Sequence, residues 1–184
     1  MKLVAFGGPS GVGKTTLVER LIPLLKARGQ RVSVIKHAHK RFDIDQPGKD
    51  SHRHREAGAT EVLLASARRL ALLREYDAEG MPPLPALVAE LSPCDWVLVE
   101  GFKHAAVPKI EVWRAPLGEP ALYPADPFVV AVATDDPATL PEPTGLPVFD
   151  MAVADALASW LMDTAARFDY DPALHADNRT GRHG

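Results

Sequence analysis

A single cysteine, Cys94, leaves this 184-residue chain without the means to close an internal disulfide. A small disulfide-stapled fold is therefore excluded, and the apolar run after Lys2 stops at Gly7-Gly8, too soon for a secretory leader, so the expected compartment is the reducing cytoplasm. Nowhere do 18 apolar residues run together, which removes a membrane-spanning helix from the expected elements. Charge of one sign is scarce too: the formal net charge of −3 argues against bulk nucleic-acid binding. No internal repeat is present, and with it goes any solenoid or propeller. What remains is an ordinary globular composition, 46% hydrophobic and 24% charged, at a length sufficient to bury a proper core.

The charge that is present is unevenly spread. Residues 26–55 hold nine Lys or Arg against Asp43, Asp45 and Asp50, with His37, His39, His52 and His54 among them. Such a stretch raises the local concentration of anions, although a solvated basic face would look the same. Around it, the pattern reads as strands alternating with helices. Lys2 to Phe6 is a buried strand running straight into glycines. Lys14 to Arg28 carries Leu17, Val18, Leu21, Leu24 and Leu25 at helical spacing and is closed by Gly29, with a kink expected at Pro23. Val32 to Lys36 is a second strand, and Ser51 to Ala57 a short helix closed by Gly58. Glu61 to Ser66 and Leu70 to Arg74 form a β-hairpin around Ala67-Arg68-Arg69. Leu84 to Leu91 is a helix introduced by prolines. Trp96 to Val99 is a continuous apolar run of the kind found in central parallel strands, and Lys109 to Trp113, Phe128 to Ala133 and Pro147 to Phe149 are further strands. Val153 to Arg167 is an amphipathic helix with Leu157, Trp160 and Leu161 on its apolar face. Thirteen of the seventeen prolines fall between Pro82 and Pro147, stiffening the connections there. The pattern predicts one three-layer α/β domain over residues 1–170 with a mainly parallel sheet and an added β-hairpin, followed by a mobile tail over 171–184.

The chemistry concentrates in Gly8-Pro9-Ser10-Gly11-Val12-Gly13-Lys14-Thr15, which fits G-x-x-x-x-G-K-[ST]. Glycines at Gly8, Gly11 and Gly13 let the backbone amides around Ser10 and Val12 turn inward on a β-phosphate, and the helix after them adds its positive end. Lys14 is placed to reach the β- and γ-phosphates, Thr15 to offer a hydroxyl to Mg²⁺, and Thr16 is a candidate for the α-phosphate. The motif lies between a strand and a capped helix, where a P-loop belongs.

Trp96 to Gly101 resembles a Walker B strand, whose terminal acid, here Glu100, holds Mg²⁺ directly or through water. Gly101 then leaves room for the γ-phosphate to approach the backbone. By itself an apolar strand ending in an acid is a common pattern; beside a P-loop it gains meaning. The polar stretch from Asp43 to Ser51 offers Asp45 and Asp50 as carboxylates that orient an attacking water or complete the Mg²⁺ shell, though Asp50 also suits a helix cap. Asp135, after the strand ending at Ala133, is placed to accept from guanine, although no Asn-Lys-x-Asp motif is present and Asp135-Asp136 also suits a turn before Pro137. His37-x-His39 and His52-x-His54, with Cys94, also suggest a metal cluster, but zinc sites usually show a tighter, fuller ligand set, and phosphate-facing donors in a basic pocket explain them as well.

With these residues assembled, the sequence resembles the molybdopterin-guanine dinucleotide biosynthesis protein B family, MobB, a group of small P-loop GTP-binding proteins. The resemblance is carried by Gly8 to Thr15, Ile35-Lys36-His37, Asp45 to Ser51, Ala57-Gly58-Ala59 and Val99 to Lys103. It implies a homodimeric GTP-binding protein that uses Mg²⁺ and has weak GTPase activity. It further implies a partner, the guanylyltransferase that joins GMP to the molybdenum pterin cofactor, with molybdopterin itself a possible ligand. Two other readings stay open from the residues: an adaptor that binds nucleotide without useful turnover, and a small-molecule kinase whose acceptor sits in the basic patch.

Overall fold

The computed structural model describes residues 1–38, 43–76, 80 and 82–171. His39, Lys40 and Arg41 of the basic stretch, and the tail beyond Asp171, lie outside the described residues. The chain forms two compact units, one from Met1–His37 together with the chain from Pro83 onward, the other from Ala38–Pro82. The second is an insertion between a strand and a helix of the first, a division the sequence pattern does not mark.

In the first unit, β1 (Lys2–Gly7), β2 (Val32–Lys36), β5 (Trp96–Glu100), β6 (Lys109–Val112), β7 (Val129–Thr134) and β8 (Val148–Asp150) form one sheet in the order β2-β5-β1-β6-β7-β8. Every neighbouring pair is parallel. β1, β5 and β7 are apolar on both faces because both are covered. Val4, Phe6, Trp96, Leu98, Ile110 and Val112 face a cluster with α1 (Lys14–Ala27) and α4 (Ala154–Asp163). Leu3, Ala5, Val97 and Val99 face α3 (Leu84–Ala89) through Leu84 and Val88. Helices on both faces make the three layers expected from the alternating pattern. α1 runs without interruption through Pro23, so the proline costs it one backbone hydrogen bond without dividing it. Gly29, at φ +78°, comes just past its C-terminus. The closing helix is shorter than its apolar pattern suggests, and a 3-10 turn at Ala165–Phe168 completes it. That turn brings Phe168 against Trp96 and Trp160, with ring centroids 5.5 and 5.7 Å away.

Among the described residues no helix covers β6 on the α3 face. The segment after β6 does so instead, and three alternating residues, Lys109, Glu111 and Trp113, hold it. Lys109 donates to Asp126 at 2.8 Å, the Glu111 carboxylate accepts from the amides of Leu122 and Tyr123 at 2.6 and 2.8 Å, and the Trp113 indole donates to the Glu119 carbonyl. The alternation Lys-Ile-Glu-Val reads as a half-exposed strand, yet Lys109 and Glu111 are 1% and 0% exposed. A buried irregular segment carries amides that need acceptors, and Glu111 supplies them. Burial pushes its carboxyl up, against the two amides that hold it down.

The second unit contains α2 (Asp50–Glu56) and a hairpin of β3 (Glu61–Ala65) and β4 (Leu70–Arg74), antiparallel with Leu63 opposite Leu72 and Ala65 opposite Leu70. Leu63, Leu70 and Leu72 are exposed on it. The short helix begins at Asp50 with Lys49 as its N-cap and no side-chain cap, so Asp50 is a first-turn residue and not a capping one. Among the described residues no helix is long and apolar enough to cross a membrane.

Candidate nucleotide-binding site

In a parallel sheet the loops at the C-terminal ends of the strands build the binding crevice. Here β1 lies between β5 and β6, so the loop leaving β1 is flanked by the loops leaving those two strands. It runs to Gly13, the N-cap of α1 at φ +107°. Gly8 sits at φ +127°, where a β-carbon would lie 2.2 Å from the Val112 carbonyl oxygen. Only glycine permits the chain to turn there without moving β6. Val12 is fully buried under the loop, whereas Ser10, Gly11, Thr15 and Thr16 keep contact with solvent.

Register explains which side chains converge. Phe6 and Lys36 both pair with Glu100, so the ends of β1 and β2 bracket it. Thr15, one residue into the helix after the loop, donates its hydroxyl to Glu100 at 2.6 Å. Lys36 donates to Thr15 Oγ1 at 3.2 Å and lies 3.3 Å from Glu100 Oε1. The sequence pattern points to Thr15 and Glu100 as metal ligands and singles out Ile35-Lys36-His37 without giving Lys36 a role. Its signal is present, a lysine ending a strand, but only the register with β5 places it on Glu100. Lys14 folds back to donate to the carbonyls of Gly8 and Pro9 at 2.9 and 2.6 Å. Desolvation by burial holds its ammonium pKa below the usual lysine value, while Glu100 works in the other direction.

A hydroxyl and a carboxylate are the hard oxygen donors that Mg²⁺ takes, and both already lie against one cation, the Lys36 ammonium. The residues fit the group. Gly101, at φ +99°, comes directly after Glu100, and a β-carbon there would sit 2.7 Å from the β-carbon of His37. Phe102 next to it also has positive φ, 52°, and packs on the His37 ring at 5.2 Å. Among the described residues no group of three or more His, Cys, Asp or Glu is arranged to hold a metal, and His37 is engaged with Phe102 instead.

On the opposite side of β1, register carries β6 and β7 out together. Val112 pairs with Ala133, so Arg114 and Asp135 lie just past the ends of neighbouring strands, 3.1 Å apart from Nε to Oδ2. Asp136 caps the next 3-10 turn by accepting from the Ala138 amide at 3.0 Å. The turn-forming role therefore belongs to Asp136, and Asp135 is ion-paired.

Asp45 and Asp50 lie in the second unit and differ in kind. The Asp45 side chain is 8% exposed, accepts from Ser51 at 2.7 Å and lies 3.5 Å from Arg55. Arg55 also donates to Asp43 at 3.0 Å and to Glu75 at 2.8 Å, tying the segment to the end of the hairpin. Hydrogen bonds from the Asp45 amide and from Arg55 hold the Asp43 carboxyl below the usual range. Asp50 is 90% exposed, with only a loose contact to Arg53 at 3.8 Å. Of the two candidates, Asp45 shapes the segment and Asp50 keeps its carboxylate available.

The family model described as MobB, molybdopterin guanine dinucleotide synthesis protein B, matches residues 3–135, a span that includes the loop, Glu100, Arg114 and Asp135. The chain is similar to the molybdopterin-guanine dinucleotide biosynthesis adapter protein of Escherichia coli K12, 42% identical over 163 residues covering 86% of this chain and 93% of that one. The adapter protein of the same description from Haemophilus influenzae is 42% identical over 86% of this chain and 89% of its own length. Among solved structures, Bacillus subtilis MobB matches with a TM-score of 0.68 at 25% identity, over 93% of this chain and all of that one. A MobB homolog from Bacillus stearothermophilus matches with a TM-score of 0.63 at 27% identity, over 90% and 99%.

Proposed function

This chain belongs to the MobB family, molybdopterin guanine dinucleotide synthesis protein B, and on that premise we propose that it is a GTP-binding adapter in that synthesis, with weak GTPase activity. The observation that carries the nucleotide part is the convergence of Thr15, Glu100 and Lys36 beside the glycine loop. Nucleotide phosphates would lie against the loop amides and the N-terminal end of α1. Lys14 would exchange the Gly8 and Pro9 carbonyls for β- and γ-phosphate oxygens, whose negative charge would offset the burial that lowers its pKa. Thr15 and Glu100 would hold Mg²⁺, which when bound supplies charge neutralisation at the β- and γ-oxygens. Lys36 would then turn from Thr15 and Glu100 toward the terminal phosphate. Hydrolysis would require a carboxylate that orients water, the role for which the sequence offers Asp45 and Asp50; the Asp45 carboxylate is held by Ser51 and Arg55, and that of Asp50 faces solvent.

The adapter role sets what the nucleotide is for: its occupancy would be read by the partner, the guanylyltransferase that attaches GMP to molybdopterin, with or without turnover. A homodimer fits the hairpin, since two strands alone are marginal in water and Leu63, Leu70 and Leu72 leave it an apolar face.

Calorimetric titration of GTP, and separately ATP, into wild type and Lys14→Ala in the presence of Mg²⁺ tests this reading. GTP binding that the substitution weakens, with ATP much poorer, is the expected result. ATP preference would move the assignment toward the kinase reading, and no binding of either would overturn the nucleotide site.

A further inference from the structure

The two flanks of the glycine loop carry different chemistry. On the β5–β2 flank are Glu100 and Lys36, which with Lys14 account for a metal ion and the outer phosphates. The β6–β7 flank carries Arg114. A β-carbon on Gly13, the N-cap of α1, would lie 3.8 Å from both Cζ and Nη2 of Arg114, so the guanidinium stands directly beside the first turn of the helix. Asp135 holds it at 3.1 Å through Nε, but off the hydrogen-bonding line, and the buried Nε has no hydrogen-bond partner. Among the described residues Asp135 is its one ionic partner. A guanidinium has five donors and matches a phosphate oxygen pair as a fork, so a single ion pair leaves most of its capacity unused.

We propose that Arg114 is a further nucleotide-binding residue, its guanidinium engaging the α-phosphate of a nucleoside di- or triphosphate, and that Asp135 is the positioning residue that aims it and not the reader of the base. The proposal rests on the reading that the glycine loop holds a nucleotide. The α-phosphate is the anionic group left without a side-chain cation once Lys14 and the metal pair are assigned to the β- and γ-phosphates. It would lie over the first turn of α1, where the exposed Thr16 is the neighbouring hydroxyl. Gly13 admits Arg114 and Met151 to this spot: the Met151 methyl would lie 2.9 Å from a β-carbon there, and any side chain would push both away.

Affinities for GTP, GDP and ATP are to be measured with Mg²⁺ on wild type, Arg114→Gln, Arg114→Lys, Asp135→Asn and the Arg114→Gln/Asp135→Asn double variant, with thermal melts confirming the fold. Arg114→Gln is expected to weaken GTP and GDP by a common factor of about tenfold to a hundredfold, the size of a lost charge-assisted hydrogen bond, and Arg114→Lys to fall between it and wild type. Asp135→Asn is expected to weaken GTP and ATP alike, leaving their ratio unchanged, and the double variant to be no worse than Arg114→Gln. Wild-type affinity in Arg114→Gln overturns the proposal and leaves the nucleotide site standing. A collapse of the GTP-to-ATP ratio in Asp135→Asn returns Asp135 to the base and overturns the positioning role. Absence of nucleotide binding in wild type overturns both this proposal and the reading beneath it.

Discussion

Replacing Glu100 with glutamine removes one charge from the place where three cationic or metal-seeking groups meet, and almost nothing else. The side chain is 11% exposed, accepts from Thr15 at 2.6 Å and faces the Lys36 ammonium at 3.3 Å. Glutamine keeps the shape and an acceptor oxygen for Thr15. What is lost is the charge assistance, the difference between a bond worth about 1.5–3 kcal/mol and a neutral one worth about 0.5–1.5. The ion pair with Lys36 adds at most a few tenths of a kcal/mol, about what an exposed pair provides, because Lys36 is 57% exposed. The ligand-free protein should therefore lose about 1–2 kcal/mol, since Lys14 and Lys36 also face each other without the intervening anion. Nucleotide binding offers the sharper assay. GTP is titrated with Mg²⁺ and again with chelator, and the ratio of the two affinities reports the metal alone. In Glu100→Gln that ratio should fall toward one by roughly tenfold, the equivalent of about 1.4 kcal/mol. Glu100→Asp keeps the charge on a shorter arm and should retain part of it. An unchanged ratio in a folded Glu100→Gln protein would refute the placement of the metal on this residue.

Gly8→Ala should cost about 2–5 kcal/mol in urea unfolding, from positive-φ strain plus displacement of the Val112 carbonyl 2.2 Å away, whereas Gly11→Ala, with open space around it, should cost only about 1–2. Equal losses in the two would show that β6 does not constrain the loop. The buried pair formed by Lys109 and Asp126 should respond asymmetrically. Asp126→Ala strands the 1%-exposed Lys109 ammonium and should cost about 3–5 kcal/mol, while Lys109→Met fills the same space and leaves Asp126 its Phe128 amide and some solvent, for about 1–2. Denaturation midpoints that move by the same amount would contradict the burial argument. In single-turnover GTP hydrolysis, Asp50→Asn should lower the rate with little change in stability, and Asp45→Asn should lower stability through Ser51 and Arg55; turnover unaffected by both would remove the carboxylate-held water from the mechanism.

Local features of the chain were enough to place the loop, the first helix and the hairpin. A glycine-rich turn after an apolar strand, helical spacing from Leu17 to Leu25, and two short runs around Ala67-Arg68-Arg69 are signals carried within a few residues, and the structure puts elements there within a residue or two. That Thr15 and Glu100 would lie together was also legible, because each belongs to a pattern carried in the sequence, and they meet at 2.6 Å. The placement of Lys36 and Arg114 was not: Lys36 belongs to the Ile35-Lys36-His37 stretch that carries the family resemblance, but no motif assigns either residue to a phosphate. They flank the glycine loop because β2 pairs in register with β5, and β6 with β7, and strand order is a property of the whole sheet that no local window contains. The burial of Lys109 and Glu111 escaped for a related reason. An alternating polar and apolar strand predicts a wet face wherever nothing covers it, and here the cover is the chain's own return segment, whose amides need those charged partners. Secondary structure and the glycine loop depend on near neighbours, and the order of amino acids was sufficient to specify them. Which distant charges stand on either side of that loop emerged only on folding, because the parallel register of the sheet sets their separation.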